Sequence, residues 1–198
     1  MVSVLSRTLA SQMTKIGVYG GTFDPIHHGH LILARSAREE LGLDRVIFVP
    51  AAESPFKPDY RGASAADRLA MVQLATAGEP GFCVDSVEVD RGGVSYSIDT
   101  ITYLSKRYAG NTWYFLVGED NAYHLNKWYR YEELSRMVTF VVLSRIDDSP
   151  QFDFHVVHRR LDISSTEIRN RVANDLPITY LVPEAVVNYI AEHQLYRG

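Results

Sequence analysis

Cysteine is almost absent from this chain of 198 residues, because Cys83 is its single cysteine. One cysteine excludes a disulfide within the chain and is typical of a reducing compartment. Its place in an apolar run predicts that the thiol is packed in the interior. An excess of positive charge is absent as well, since 24 acidic residues outnumber 20 lysines and arginines and give a net charge of −4. We therefore expect no binding of polymeric nucleic acid.

Long hydrophobic runs are also missing. No apolar stretch approaches the roughly 20 residues that a membrane-spanning helix requires, and residues 1–12 lack the hydrophobic centre of a secretory signal. These absences predict a cytoplasmic protein without membrane contact. The length suits a single domain, which we place at residues 13–198 after a flexible N-terminal extension at residues 1–12.

Short apolar runs rich in β-branched residues alternate with longer amphipathic segments, which is typical of parallel strands joined by helices. The pattern predicts an α/β fold of the Rossmann-like, doubly wound type, with a mostly parallel sheet and C-terminal helices. Ligands of such folds bind beyond the carboxyl ends of the strands. Strands are predicted at residues 16–19, 45–50, 82–89, 112–117, 139–144 and 155–158. Helices are predicted at residues 29–41 and 97–108, and a third begins at a capping box formed by Ser64 and Asp67. A short helix is predicted after Tyr131. Two more are predicted near the C-terminus, one from Ser164 or Ser165 to Ala173 and one that begins at Pro183.

The turn between the first strand and the first helix, residues 20–30, reads GGTFDPIHHGH. Its two leading glycines let backbone N–H groups approach a ligand, and the N-terminus of the following helix favours a phosphate. His27 and His30 are three residues apart and therefore share one face of the first helical turn. This turn predicts a phosphate site. A zinc site is disfavoured because no cysteine accompanies the histidines, and a purely structural turn needs no histidine pair.

A second segment with phosphate-binding chemistry, residues 162–169, reads DISSTEIR. It places three hydroxyls and free backbone N–H groups at the start of another helix, with Arg169 about one turn further on. Hydroxyls, amides and a guanidinium that converge on one place suit a triphosphate.

Two further segments indicate a second ligand. Asp120 follows a predicted strand and can accept the hydroxyls of a ribose, while the indole of Trp128 can stack on a flat heteroaromatic ring. The turn at residues 93–100 offers amides and hydroxyls to a small carboxylate.

These motifs resemble those of a known family. Gly-x-Phe-Asp-Pro-x-His-x-Gly-His and Ile-Ser-x-Thr-x-x-Arg are similar to the signatures of the nucleotidyltransferase superfamily. Tyr-Ser-x-Asp-Thr, Gly-x-Asp and the Trp-Tyr pair resemble its nicotinate mononucleotide adenylyltransferase branch, from Lys15 to Tyr196. The resemblance implies transfer of an adenylyl group from ATP to nicotinate mononucleotide, giving nicotinate adenine dinucleotide and pyrophosphate, a step in NAD biosynthesis. One departure is Glu119, because the family has a small or amide residue at that position.

The resemblance also implies roles for individual residues. Charge on the phosphates would be stabilised by the catalytic residues His27, His30, Lys57 and Arg169. ATP would be bound by Gly20, Gly21, Thr22, Phe23, His27, Gly29, His30, Ser164, Ser165, Thr166 and Arg169. The mononucleotide would be bound by Lys57, Ser95, Tyr96, Asp120, Trp128 and Tyr129.

Partners and alternatives follow from the same resemblance. The expected partners are ATP and nicotinate mononucleotide, and a homo-oligomer is left open. The expected cofactor is Mg²⁺, bound through substrate phosphates and not by protein side chains. Transfer to another acceptor, such as phosphopantetheine or a polyol phosphate, is the nearest alternative, and a non-catalytic nucleotide-sensing module is a second. The preference for nicotinate over nicotinamide mononucleotide rests on the resemblance alone.

Overall fold

The computed structural model describes residues 13–55, 62–145 and 152–197. Within these ranges six strands form one sheet in which every neighbouring pair is parallel. The strand order is β3-β2-β1-β4-β5-β6, which is the doubly wound order and confirms the predicted α/β fold. The strands are β1 (Lys15–Gly21), β2 (Arg45–Pro50), β3 (Phe82–Val84), β4 (Thr112–Gly118), β5 (Thr139–Ser144) and β6 (His155–His158).

Helices follow most strands and cover both faces of the sheet. Those in the described ranges are α1 (His28–Leu41), α2 (Ala65–Thr76), α3 (Val87–Arg91), α4 (Ser97–Arg107), α5 (Glu119–Ala122), α6 (Tyr131–Met137), α7 (Ser165–Ala173) and α8 (Glu184–Glu192). None of them is long and apolar enough to cross a membrane.

The four central strands, β1, β2, β4 and β5, are buried on both faces, so successive side chains join two separate apolar clusters. In β4, Phe115 and Val117 pack into the cluster that contains Ile101 of α4, whereas Leu116 packs into the cluster that contains Leu33 of α1. Burial on both faces explains why these strands are almost continuously apolar in sequence.

The centre of the sheet determines where a ligand can bind. From β1 the chain passes to β2 on one side, and later to β4 on the other side of β1. Helices that leave the two strands in opposite directions open a crevice at their carboxyl ends. Gly20 and Gly21 lie at this end of β1, beside Val49 and Pro50 of β2.

Several helices begin or end at the capping residues that were predicted from sequence. Gly42 ends α1 with a left-handed φ of 62°, a conformation that suits glycine. Ser64 caps α2 by accepting a hydrogen bond from the backbone N–H of Asp67 at 3.1 Å. Ser164, and not Ser165, caps α7 by accepting from the backbone N–H of Glu167 at 3.1 Å.

Two predictions were wrong in the region after residue 81. The strand predicted at residues 82–89 ends at Val84, and the short helix α3 follows it. Asp85 stops the strand because its carboxylate accepts a hydrogen bond from the backbone N–H of Val87 at 3.0 Å. Cys83 is exposed and not packed, because β3 is an edge strand and Cys83 alternates with Phe82 and Val84, which face the core.

Candidate active site

Two adjoining cavities occupy the crevice at the carboxyl ends of the strands. Their volumes are about 350 and 500 Å³, and we call them the first and the second cavity. The first is lined by every residue predicted to bind ATP, namely Gly20, Gly21, Thr22, Phe23, His27, Gly29, His30, Ser164, Ser165, Thr166 and Arg169. The second is lined by Ser95, Tyr96, Asp120, Trp128 and Tyr129, which are the predicted mononucleotide residues apart from Lys57. Lys57 lies outside the described residues.

The two histidines form a stacked pair at the start of α1. Their ring centroids are 3.7 Å apart, with an interplanar angle of 23°. The rings of His30 and Phe23 also meet edge to face, at a centroid distance of 5.1 Å. The backbone N–H of His27 donates to Nδ1 of His30 at 3.3 Å. In a neutral His30 ring the proton is then on Nε2, which leaves that atom as a donor.

Both imidazoles are held in the neutral form. Burial, with the nearby positive charge of Arg145 and the neighbouring His28, lowers the pKa of His27 to about 3. Burial, with His27 and Arg145, also lowers the pKa of His30 well below its usual value. At neutral pH the pair therefore offers uncharged N–H donors and not cations, which refines the role inferred from sequence.

Glycine is required beside the histidine pair for a steric reason. A Cβ atom at Gly29 would lie 2.9 Å from Nδ1 of His27, and one at Gly21 would lie 2.9 Å from the ring of Phe23. Phe23 itself has a positive φ of 49°, so its backbone is held in a conformation that is unusual for a bulky residue. The glycines thus leave room for the rings that line the first cavity.

The second motif is hydrogen-bonded directly to the first. Ser165 Oγ donates to the backbone carbonyl of Pro25 at 2.9 Å. Arg169 donates to the carbonyl of Asp24 at 2.8 Å and to the hydroxyl of Thr166 at 3.2 Å. The bonds to Pro25 and Asp24 span 140 and 145 residues and therefore fix the start of α7 against the histidine turn.

Asp24 is a functional residue that the sequence reasoning missed. It is 2% exposed, and its carboxylate accepts hydrogen bonds from the hydroxyl of Tyr196 and from the backbone N–H of Ala63. Its position inside the histidine turn indicated that Asp24 lies near the site. Its hydrogen-bond partners, however, are 39 and 172 residues away, so no local sequence pattern reveals them.

Arg68 supports the same turn from the other side. Its guanidinium is buried and donates to the carbonyls of Thr22 and Ala52 at 2.8 and 2.9 Å. It therefore joins the ends of β1 and β2 beneath the cavities. In the sequence Arg68 stands in an amphipathic helix, where an arginine usually indicates a solvated face.

Arg145 is another residue that the sequence reasoning missed, and it lines the first cavity. It donates to the carbonyl of Ile163 at 2.9 Å, and its guanidinium is 3.7 Å from the carboxylate of Asp120. A usable signal was present, because Arg145 directly follows β5, at the same edge of the sheet as the other site residues.

Four aromatic residues, Tyr96, Phe115, Trp128 and Tyr129, line the second cavity together with polar groups. Trp128 is half-buried and meets Phe115 edge to face at a centroid distance of 5.7 Å. The rings of Tyr96 and Tyr129 are 4.7 Å apart. The hydroxyl of Ser95 accepts from the backbone N–H of Ala52 at 3.0 Å, which ties the turn at residues 93–100 to the end of β2. Flat rings around an open space suit a heteroaromatic ligand.

Two neighbouring carboxylates at the end of β4 behave differently. The side chain of Asp120 is 91% exposed at the boundary of the two cavities, where a ligand can reach it. Glu119 instead accepts hydrogen bonds from the hydroxyls of Ser144 at 2.8 Å and Tyr123 at 3.2 Å. The departure of Glu119 from the family pattern therefore has a structural account, since its carboxylate joins the ends of β4 and β5.

The comparisons with known proteins agree with this geometry. Residues 18–171 match the model of the cytidylyltransferase-like family. A protein of Herpetosiphon aurantiacus named "Probable nicotinate-nucleotide adenylyltransferase" is 41% identical over 197 residues, covering 93% of this chain and 99% of its own length. One of the same name from Bacillus pumilus is 38% identical over 189 residues, covering 94% and 100%. The chain belongs to the cytidylyltransferase-like family and, within it, to the nicotinate-nucleotide adenylyltransferases.

A solved structure has the same fold. The Plasmodium falciparum nicotinic acid mononucleotide adenylyltransferase, complexed with NaAD, superposes with a TM-score of 0.74. The match covers 92% of this chain and 97% of that one at 18% identity, so the likeness is one of fold.

Proposed function

We propose that this protein transfers the adenylyl group of ATP to nicotinate mononucleotide and releases pyrophosphate. The observation that carries the proposal is the pair of cavities that share the Gly20, Gly21 and Thr22 turn. One cavity presents phosphate-binding groups and the other presents aromatic rings. Two such surfaces beside one turn suit a reaction that joins two nucleotides through their phosphates.

The acceptor phosphate is the nucleophile. Its oxygen attacks the α-phosphorus of ATP, the bond from the α-phosphorus to the bridging oxygen breaks, and pyrophosphate leaves with that oxygen. The nucleophile is already ionised, so no side chain has to remove a proton. Catalysis then depends on alignment of the two phosphates, which contributes about 7 to 11 kcal/mol in well-oriented reactions, and on donors that stabilise the growing charge.

The first cavity supplies such donors. In the proposed complex, His27 and His30 donate neutral N–H groups, and Arg169 supplies a fixed positive charge. The stacking of the two rings and the contact of Arg169 with Asp24 hold these groups before substrate binds. Preorganised donors do not have to reorient as charge develops, whereas water molecules would. Each such donor can lower the activation free energy by about 2.7 to 4 kcal/mol.

Mg²⁺ belongs to the proposal as a companion of ATP. The described residues contain no group of three or more histidine, cysteine, aspartate or glutamate side chains placed to hold a metal ion. We expect the ion to be bound by phosphate oxygens and water, as Mg²⁺ commonly is in such enzymes. When bound, it would neutralise part of the phosphate charge. The cytoplasmic location and the phosphate contact of Lys57 also stay predictions.

The test is pyrophosphate release from ATP and Mg²⁺ by the purified protein. Nicotinate mononucleotide, nicotinamide mononucleotide and 4′-phosphopantetheine are supplied in separate reactions. We expect release with nicotinate mononucleotide, less with the amide, and none with phosphopantetheine. Release with phosphopantetheine alone would contradict the acceptor, and no release with any acceptor would contradict the function.

A further inference from the structure

The C-terminal segment reaches the centre of the proposed ATP site. The hydroxyl of Tyr196 donates a hydrogen bond to Oδ1 of Asp24, 172 residues earlier in the chain. Asp24 lies in the turn between β1 and α1 and lines the first cavity, whereas Tyr196 lines neither cavity. Tyr196 can therefore affect that cavity only through residues such as Asp24.

The Asp24 carboxylate depends on its hydrogen bonds because it is almost fully buried. A buried carboxylate is destabilised unless donors replace the water that it has lost. Besides Tyr196, the backbone N–H of Ala63 donates to it, with N···O distances of 3.2 and 3.3 Å. Removal of the tyrosine hydroxyl would leave Oδ1 with only this longer, shared contact among the described residues.

The backbone of Asp24 in turn positions Arg169. Its carbonyl accepts from Nη1 of Arg169 at 2.8 Å, and the next carbonyl, of Pro25, accepts from Ser165 at 2.9 Å. A shift of this turn would move both acceptors together. Displacements of about 1 Å are enough to weaken an aligned site strongly.

We propose that Tyr196 is a positioning residue of the ATP site, which acts through Asp24 on Arg169 without touching substrate. The inference rests on the proposed function, since it takes the first cavity to be the ATP site. It makes the C-terminal segment part of the active-site framework, although it supplies no ligand-binding group. The predicted consequence is a defect mainly in ATP binding, because Asp24 and Arg169 line the first cavity and not the second.

The test substitution is Tyr196→Phe, which keeps the ring and removes one oxygen atom. Its matched control is Tyr189→Phe, which removes a hydroxyl that donates to Asp67 at 3.0 Å, away from both cavities. The dissociation constant of ATP with Mg²⁺ is measured by calorimetry without mononucleotide, so the readout does not require activity. We expect Kd to rise about tenfold for Tyr196→Phe and to stay within about twofold of wild type for Tyr189→Phe. Thermal melting checks that both variants are folded.

A double-mutant cycle tests the route through Arg169. If Tyr196 acts through that residue, Tyr196→Phe should change ATP affinity little in an Arg169→Ala background. An undiminished tenfold loss in that background would overturn the route. Equal weakening in both tyrosine variants would indicate general loosening, and unchanged affinity in Tyr196→Phe would remove the positioning role.

The proposed function has its own readout, so the two failures can be told apart. If wild-type protein binds ATP but releases no pyrophosphate with any acceptor, the proposed function is contradicted. The comparison of ATP affinity between wild type and Tyr196→Phe would still test the positioning role. Wild-type protein that does not bind ATP would contradict both.

Discussion

The two cavities differ in how their lining residues are held. Around the first cavity, hydrogen bonds between distant segments fix the polar groups: Arg169 is bound to Asp24, and Arg68 is bound to the carbonyl of Thr22. Around the second, aromatic rings meet through their faces and edges, with Trp128 against Phe115. The first arrangement fixes directional donors, whereas the second provides flat apolar surface.

The difference indicates that the first cavity carries out the chemical step, whereas the second selects the acceptor. Directional donors contribute to turnover only when they are aligned with developing charge. A stacking surface contributes to binding and tolerates small displacements, since every aromatic ligand has a flat face. Substitutions in the first cavity should therefore reduce turnover or ATP binding, and those in the second should affect the mononucleotide.

The largest effect is expected for His30→Ala. It removes a preorganised donor and the ring against which His27 stacks, so turnover should fall roughly a hundredfold or more. Steady-state assays of pyrophosphate release measure it. The control is His28→Ala, since the His28 side chain lines neither cavity, and it should keep turnover close to wild type. Near-normal turnover in folded His30→Ala would remove this histidine from the mechanism.

A smaller and more selective effect is expected for Trp128→Ala. Loss of a stacking indole costs about 1 to 3 kcal/mol, so the KM for the mononucleotide should rise about tenfold while the KM for ATP changes little. Titration of each substrate at saturation of the other measures both values. Trp128→Phe keeps an aromatic face and should retain most of the affinity. An unchanged KM for the mononucleotide in Trp128→Ala would mean that the indole packs in the core and does not bind this substrate.

The sequence predicted what is encoded locally. The strands at residues 45–50, 139–144 and 155–158 match the structure residue for residue. The first two are buried parallel strands, which are short and almost continuously apolar in sequence. The phosphate-binding side of the site was also predictable, since its glycines, histidines and hydroxyls are contiguous. The strand predicted beyond Val84 failed because a few apolar residues at alternate positions fit a short helix as well as a strand.

Long-range contacts could not be predicted in this way. The pairing of Tyr196 with Asp24 joins residues that no periodicity relates. Arg68 looks like a surface residue in its helix, yet it is 4% exposed beneath the cavities. These residues supply the support of the first cavity, whereas most of its lining was predicted. Sequence motifs thus identified the groups that face a ligand better than those that hold them.

The smallest expected effect concerns pH and stability, and we predict it for His27 in the first cavity. Unfolding exposes His27 to water, where its pKa is about 6.5, whereas burial and Arg145 lower its pKa to about 3 in the folded protein. The unfolded state binds more protons between these two values, so the free energy of unfolding decreases as pH falls through about 6.5. His27 alone should account for a loss of about 1 kcal/mol between pH 7.5 and 5.5.

Urea unfolding of wild type and His27→Asn at both pH values measures this contribution. The asparagine is polar but does not titrate, so His27→Asn should lose about 1 kcal/mol less than wild type on acidification. Comparison of each protein with itself cancels any pH-independent cost of the substitution. Equal losses in the two proteins would mean that His27 takes up its proton in the folded state as readily as in water. His27 would then carry a positive charge in part of the molecules near neutral pH and would not be held as a neutral donor.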